Sequence, residues 1–287
     1  MPACEWYIDS AEFLIVKTVD CGESLERYEV KAIRVGMEYG PAISVYWNAR
    51  LNEFCELNYY VVVLRSEHRT VVINTGLPDD FSVFEDFVRS WHPDCRIHRT
   101  DEEQTLAALT RAGVDPARVE TVILTPLTIY TTGQLKLFSK AQFAVSRTGW
   151  IDFWAPAPHA PRLPPDIAIA RESRSHLAGD AIDRIRLLDA EDTVCPGIDV
   201  FHTGGHHASS MAVRVATARG TVILGDCFFT YDNLEKNIPI GWHENLHEIH
   251  TAYARIRAEA DIAVPLYDPE VLNRFPAGII AAKEART

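Results

Sequence analysis

The chain has 287 residues, 47% of them hydrophobic and 24% charged, with 28 basic against 40 acidic side chains and a formal net charge of -12. Such acidity, without any run of Lys or Arg, argues against nucleic acid or an anionic membrane surface as the main partner. No apolar stretch reaches the about 18 residues a membrane-spanning helix needs, so none is expected.

Met1 to Asp20 carries Glu5, Asp9 and Glu12 and lacks a basic region followed by an apolar run, so it does not read as a signal peptide. The cysteines Cys4, Cys21, Cys55, Cys95, Cys195 and Cys227 show no C-x-x-C spacing. They read as reduced thiols in a cytoplasmic protein.

Tyr28 to Val35 alternates like a half-buried strand. Tyr59 to Leu64 and Thr70 to Ile73 form two β-branched runs separated by Arg65 to Arg69, a hairpin pattern that ends at the turn Asn74-Thr75-Gly76-Leu77-Pro78. Thr100 with Glu103 is a capping box, Leu106, Leu109 and Ala112 share a helical face, and Gly113 stops the helix. Val119 to Leu124 reads as a buried strand running into a polar turn, Thr125 to Gly133. Ala141 to Ser146 is a strand, and the Pro-, Ala- and His-rich stretch Ala155 to Pro165 is a loop or lid. Strands follow at Arg184 to Leu188, Gly197 to His202, Met211 to Ala216 and Thr221 to Leu224. Glu244 to Ala260 is a long helix, Ile262 to Pro265 a last short strand, and the chain is helical from Pro269. Strands and helices recurring in two similar halves predict an α/β fold, a four-layer αββα sandwich, in one domain over residues 1–287.

Four stretches resemble, in order, motifs of the metallo-β-lactamase superfamily and of its N-acyl homoserine lactonase-like hydrolases. They are Val71 to Pro78, Val119 to Gly133, His202-Thr203-Gly204-Gly205-His206 with Gly225-Asp226, and Val264-Pro265-Leu266-Tyr267-Asp268-Pro269. The resemblance covers about residues 28–276 and leaves 1–27 as an N-terminal extension. It implies the αββα fold and a hydrolase in which two metal ions activate a bridging water.

The ligand positions depart from that pattern. The resemblance puts Pro126, Thr128, Tyr130, Thr131 and Tyr267 where the family has four histidines and an aspartate, and keeps only His206 and Asp226. Proline cannot ligate through its side chain, and Thr and Tyr are poor neutral ligands for Zn²⁺. Asn74 replaces a carboxylate that would orient a ligand, and Phe229 stands where lactonase-like members often carry a tyrosine.

His206 and Asp226 are the candidate catalytic pair, with Asp226 setting the tautomer of His206; they read equally as an inherited structural hydrogen bond. Thr128, Tyr130, Thr131, Tyr267, His207 and Phe229 are the candidate substrate-binding lining; the hydroxyls either hold a polar ligand or plug an emptied site. Trp150, Trp154 and Trp242 belong near the mouth or in the core. His243, His247 and His250 fall at i, i+4 and i+7, a spacing more common on a helix surface than at a metal. Cys227 beside Phe228 and Phe229 reads as a buried, inert thiol, and Ser209 and Ser210 sit in no nucleophile elbow.

The expected function is metal-independent acid–base chemistry (hydrolysis, cyclisation or elimination) on a small carbonyl- or lactone-like molecule, with no cofactor and no metal. Specialised metabolism is the expected setting. The alternatives are a non-catalytic ligand- or partner-binding protein, and a mononuclear metal hydrolase using His206, Asp226 and a further ligand such as His207 or His202. A small molecule is the expected partner, without nucleic acid or membrane, and a homodimer stays open.

Overall fold

The computed structural model describes residues 26–158 and 163–282. The readings on Met1 to Asp20, on Cys4 and Cys21, and on the middle of the Ala155 to Pro165 loop lie outside the described residues.

Among the described residues, thirteen strands run in chain order: β1 (Glu29–Pro41), β2 (Phe54–Arg65), β3 (Thr70–Ile73), β4 (Arg96–His98), β5 (Thr121–Leu124), β6 (Gln142–Ser146), β7 (Ile185–Leu188), β8 (Glu191–Cys195), β9 (Ile198–His202), β10 (Met211–Thr217), β11 (Gly220–Gly225), β12 (Ile262–Pro265) and β13 (Ile279–Ala281). One sheet has the order β13-β1-β2-β3-β5-β6-β7, with β4 also on β1; the other is β12-β11-β10-β9-β8. Buried residues of both sheets join in one hydrophobic core. Helix Leu246–Glu259 packs on β11, and helices Thr105–Arg111 and Arg147–Trp154 pack on β1 and on β6 and β7. This is the expected αββα sandwich. No helix of the described residues is long and apolar enough to cross a membrane.

Some local expectations shift. The Thr100/Glu103 capping box forms, but it caps a 3₁₀ turn, Asp101–Glu103. Gln104 is extended (ψ 132°), so the helix restarts at Thr105. The restart changes its phase: Ala108 and Leu109 are buried, whereas Leu106 is 50% exposed. Likewise Asn245 caps the long helix by accepting from the amides of His247 and Glu248. His243 therefore lies before the helix, and the three histidines do not share a helical face. Strands β4, β8 and β13 and helices Ser82–Arg89 and Arg171–Ala178 were not expected; all are short, and their periodicity covers too few residues to stand out.

Strand ends bring the loops of interest together. β3 and β5 are parallel with Ile73 opposite Ile123, so Asn74 and the loop after Leu124 leave the sheet side by side. β11 and β12 are parallel with Gly225 opposite Pro265, which sets Asp226 and Tyr267 at the same edge. The β9–β10 turn returns from His202 to Met211 and carries residues 203–210 there.

Gly133 locks the first two loops. Its amide donates to the carbonyl of Gly76 (2.8 Å), and a Cβ at this position would lie 2.0 Å from Pro78 N and 2.2 Å from Leu77 C. Backbone cannot yield as a flexible side chain can. Gly133→Ala is expected to destabilise by about 1–3 kcal/mol or more, as overpacking does, read as a lower urea midpoint with an unchanged m-value.

Candidate active site

Asp226, directly after β11, is fully buried. Burial of a carboxylate is costly unless its lone pairs are filled by donors. Here His206 Nδ1 stands 3.1 Å from Oδ2, Ser210 Oγ donates to Oδ2 at 2.5 Å, and Thr125 Oγ1 lies 3.2 Å from Oδ1. Thr125 also accepts from the Met211 amide at 2.8 Å, tying the end of β5 to the start of β10. The carboxylate fixes the histidine tautomer: Nδ1 carries the proton and Nε2 is the free nitrogen. Ser210 is bonded to the carboxylate and not to the imidazole, so it is not an activated nucleophile.

His206 is itself buried (3% exposed). Its ring lies tilted against that of His207 (centroids 4.1 Å apart, 37°) and takes the edge of Phe229 (4.7 Å). Burial pushes its pKa from the usual 6.5 down to about 4, and the neighbouring His207 adds to this; Asp226 opposes both. His206 is thus a neutral imidazole at physiological pH. His207 Nδ1 pairs with Glu244 Oε1 at 3.0 Å, and the other oxygen of Glu244 takes the Ala208 amide.

The loop after β5 is held by its own hydroxyls. Asn74, at φ 63°, donates to the Thr125 carbonyl and accepts the Thr125 amide, both at 2.9 Å. Asn suits this left-handed backbone, and only an amide side chain makes both bonds. The Thr125–Pro126 peptide is cis. Thr131 Oγ1 reaches the Pro126 carbonyl at 2.6 Å and the Thr128 amide at 3.1 Å. It is spent inside the loop and is not part of the pocket wall, unlike the expected lining role. Thr128 and Tyr130 do reach the wall.

The pocket is small, with a cavity volume of about 70 Å³, and is walled by Thr128, Tyr130, His206, His207, Phe229 and Tyr267 among others. Tyr59 stacks on Tyr130 (5.0 Å, 13°), and Tyr267 meets both rings edge-on (6.4 and 5.9 Å). Phe229 meets Tyr267 at 5.1 Å. The Tyr267 hydroxyl is buried and lies near that of Tyr130, but makes no well-aligned hydrogen bond. Of the tryptophans, Trp242 lines the pocket, Trp150 packs against the core and Trp154 is 39% exposed.

Sequence reasoning missed Ser210 and Thr125 as carboxylate donors, and Glu38 and Tyr59 as pocket residues. The donor hydroxyls end loops like ordinary turn residues, and Glu38 and Tyr59 lie on strands outside every motif. Cys227 is buried, and burial beside Asp226 raises its pKa well above normal, so the thiol is unreactive. Ser209 accepts the Leu127 amide at 2.8 Å, a structural bond. Nδ1 of His202 is buried without a partner.

No protein-family model matches the chain. An N-acyl homoserine lactonase from a Bacillus species is 20% identical over 193 residues, 65% of this chain and 70% of that protein. A solved N-acyl homoserine lactone hydrolase, with N-hexanoyl-L-homoserine at its catalytic metal centre, is 19% identical and superposes with a TM-score of 0.70 over 88% of this chain and 98% of that one. The dizinc quorum-quenching lactonase AidC is 12% identical, with a TM-score of 0.61 over 92% and 99% of the two chains. AbOPH, a hydrolase of the β-lactamase superfamily, is 14% identical with a TM-score of 0.62 over 92% and 95%. The chain has the αββα fold of these solved hydrolases.

The residues present do not fit the two-metal group that this fold implies. Among the described residues, no three His, Cys, Asp or Glu side chains stand together so as to hold a metal ion. Both oxygens of Asp226 already face protein donors, and the side chains of Tyr130 and Tyr267 occupy two of the ligand positions that the resemblance assigns.

The depressed His206 pKa has a stability signature. Between the usual 6.5 and about 4, the unfolded chain takes up a proton that the folded chain refuses. Stability therefore falls as pH falls through that window, by about 3 kcal/mol from this group, and the contribution levels off below it. Urea unfolding between about pH 7 and pH 4.5 is expected to show this slope, and His206→Asn to remove about one proton's worth of it. Equal slopes in the two proteins would contradict a buried neutral His206.

Proposed function

We propose that this chain is a hydrolase of small lactone- or ester-like carbonyl compounds and that it works without a metal ion. The His206–Asp226 pair carries the reading: an imidazole fixed through Nδ1, with Nε2 free, on the wall of a pocket. The lactonases that resemble the chain support the reaction class. They do not support metal independence, since AidC is a dizinc enzyme. That part of the proposal rests on this chain's own side chains.

In the proposed reaction, Nε2 of His206 takes a proton from water as its oxygen attacks the substrate carbonyl. The Tyr267 hydroxyl, which lacks a well-aligned partner, donates to the carbonyl oxygen as negative charge develops there. The tetrahedral intermediate collapses, the C–O bond of the ring or ester breaks, and the departing alkoxide receives the proton from Nε2. Asp226 holds the ring and offsets the imidazolium charge throughout.

Purified protein dialysed against a chelator is expected to hydrolyse a member of an N-acyl homoserine lactone and aryl ester panel. His206→Ala should lower kcat by about 10²–10⁴-fold. The acid limb of kcat/KM should fall near pH 4, where His206 gains its proton. Activity lost on chelation and restored by zinc would reject metal independence; full activity of His206→Ala would reject the base.

A non-catalytic reading has its own support. A base with a pKa of about 4 is weak, and aromatic rings fill much of the space beside it. That reading expects ligands to bind with no turnover in any protein of the set.

A further inference from the structure

Glu38 belongs to none of the motifs, yet it lines the same pocket as His206. It lies on β1 opposite Leu57 of β2 and Ile97 of β4, so neither neighbouring strand offers it a counter-charge. Its one hydrogen-bond partner among the described residues is the Tyr59 hydroxyl, which donates to Oε2. No Lys or Arg of the described residues pairs with it or lines this pocket. Burial pushes its carboxyl above the usual range, with Tyr59 alone pulling it back. A carboxylate kept among rings without a cation is costly for the folded protein by itself.

The pocket that Glu38 lines is walled by rings of the kind that attract cations. Tyr59 is stacked on Tyr130, and Trp91 on Trp242 at 4.8 Å, all four on the pocket wall. Aromatic faces beside a carboxylate form a setting in which an organic cation exchanges its water shell for π-faces and one opposite charge. From Glu38 to His206 the wall runs through Tyr59 and Tyr267, with ring centroids 6.4 and 6.2 Å apart at successive steps. This span suits one small molecule touching both ends.

We infer that the pocket takes a substrate bearing an organic ammonium group, which Glu38 and the surrounding rings hold while the carbonyl lies at His206. This deepens, and its second half rests on, the hydrolase reading above. It separates this chain from proteins whose ligand is a neutral N-acyl homoserine lactone or its product. It also excludes substrates with a carboxylate or phosphate at the Glu38 end.

The test is equilibrium binding, which needs no turnover and so fails or succeeds independently of the proposed hydrolysis. Three probes of similar size are titrated into the full chain: benzyltrimethylammonium, benzyl alcohol and phenylacetate. Fluorescence of the pocket tryptophans and calorimetry report binding. The cation is expected to bind at least about tenfold more tightly than the alcohol, and phenylacetate more weakly than either. Glu38→Gln should abolish the preference for the cation and leave the alcohol unchanged, while His206→Ala should keep the preference. Equal affinity for cation and alcohol in the natural protein would overturn the inference. So would a cation preference that survives in Glu38→Gln, which would leave Glu38 only a structural bond to Tyr59. If Glu38→Gln does not fold, Glu38→Ala takes its place, with the same expected loss of the cation preference and the same overturning result.

Discussion

The site depends on one dry carboxylate. Asp226 sits at the end of β11 with no solvent contact, and its charge is met by donors from two other loops. Thr125 comes from the end of β5 in one sheet; His206 and Ser210 come from the β9–β10 turn of the other. A buried ion costs several kcal/mol unless such donors are in place, so the loops cannot drift apart cheaply. The hydrogen bond that orients His206 is therefore also one that fastens the two sheets at this edge.

Around that point, hydroxyls and rings hold the loops. Thr131 staples the turn from Pro126 to Thr128, and Asn74 clamps its beginning. Tyr59, Tyr130, Tyr267 and Phe229 pack as mutually perpendicular or stacked rings, each contact adding about 0.5–1.5 kcal/mol beyond simple burial. These interactions give the loops a fixed geometry through protein atoms alone. They also leave the Tyr267 hydroxyl buried without a well-aligned partner, a cost that a bound carbonyl group would remove.

The sandwich was legible in the sequence because its central strands are apolar runs bounded by turns. His206, Asp226, Tyr267 and Phe229 were legible through the order of four motifs, and all four meet in the structure. Which way Thr131 turns was not legible, because sequence shows a hydroxyl but not its partners; its Oγ1 bonds within the loop, one of the two readings open for it. Ser210 and Thr125 were missed for the converse reason: a donor matters only once folding sets it against a buried acceptor. The histidine triplet at 243, 247 and 250 looked regular until Asn245 capped the helix between its first two members. Glu38 was hidden because the alternating run read from the sequence ends at Val35, whereas β1 continues to Pro41.

The charge pattern of the pocket bears on what chemistry it can host. His206 is neutral, His207 is paired with Glu244, and Glu38 has no counter-ion among the described residues. In the proposed reaction, addition of water to a carbonyl places negative charge on the carbonyl oxygen, which the Tyr267 hydroxyl and the protonated His206 would face. Glu38 in its ionised form would oppose that charge from the same pocket wall. A substrate that brought its own ammonium group would neutralise Glu38 and lift that penalty. The same group would then serve recognition and rate together, since a neutral analogue would lose the contact and meet the repulsion.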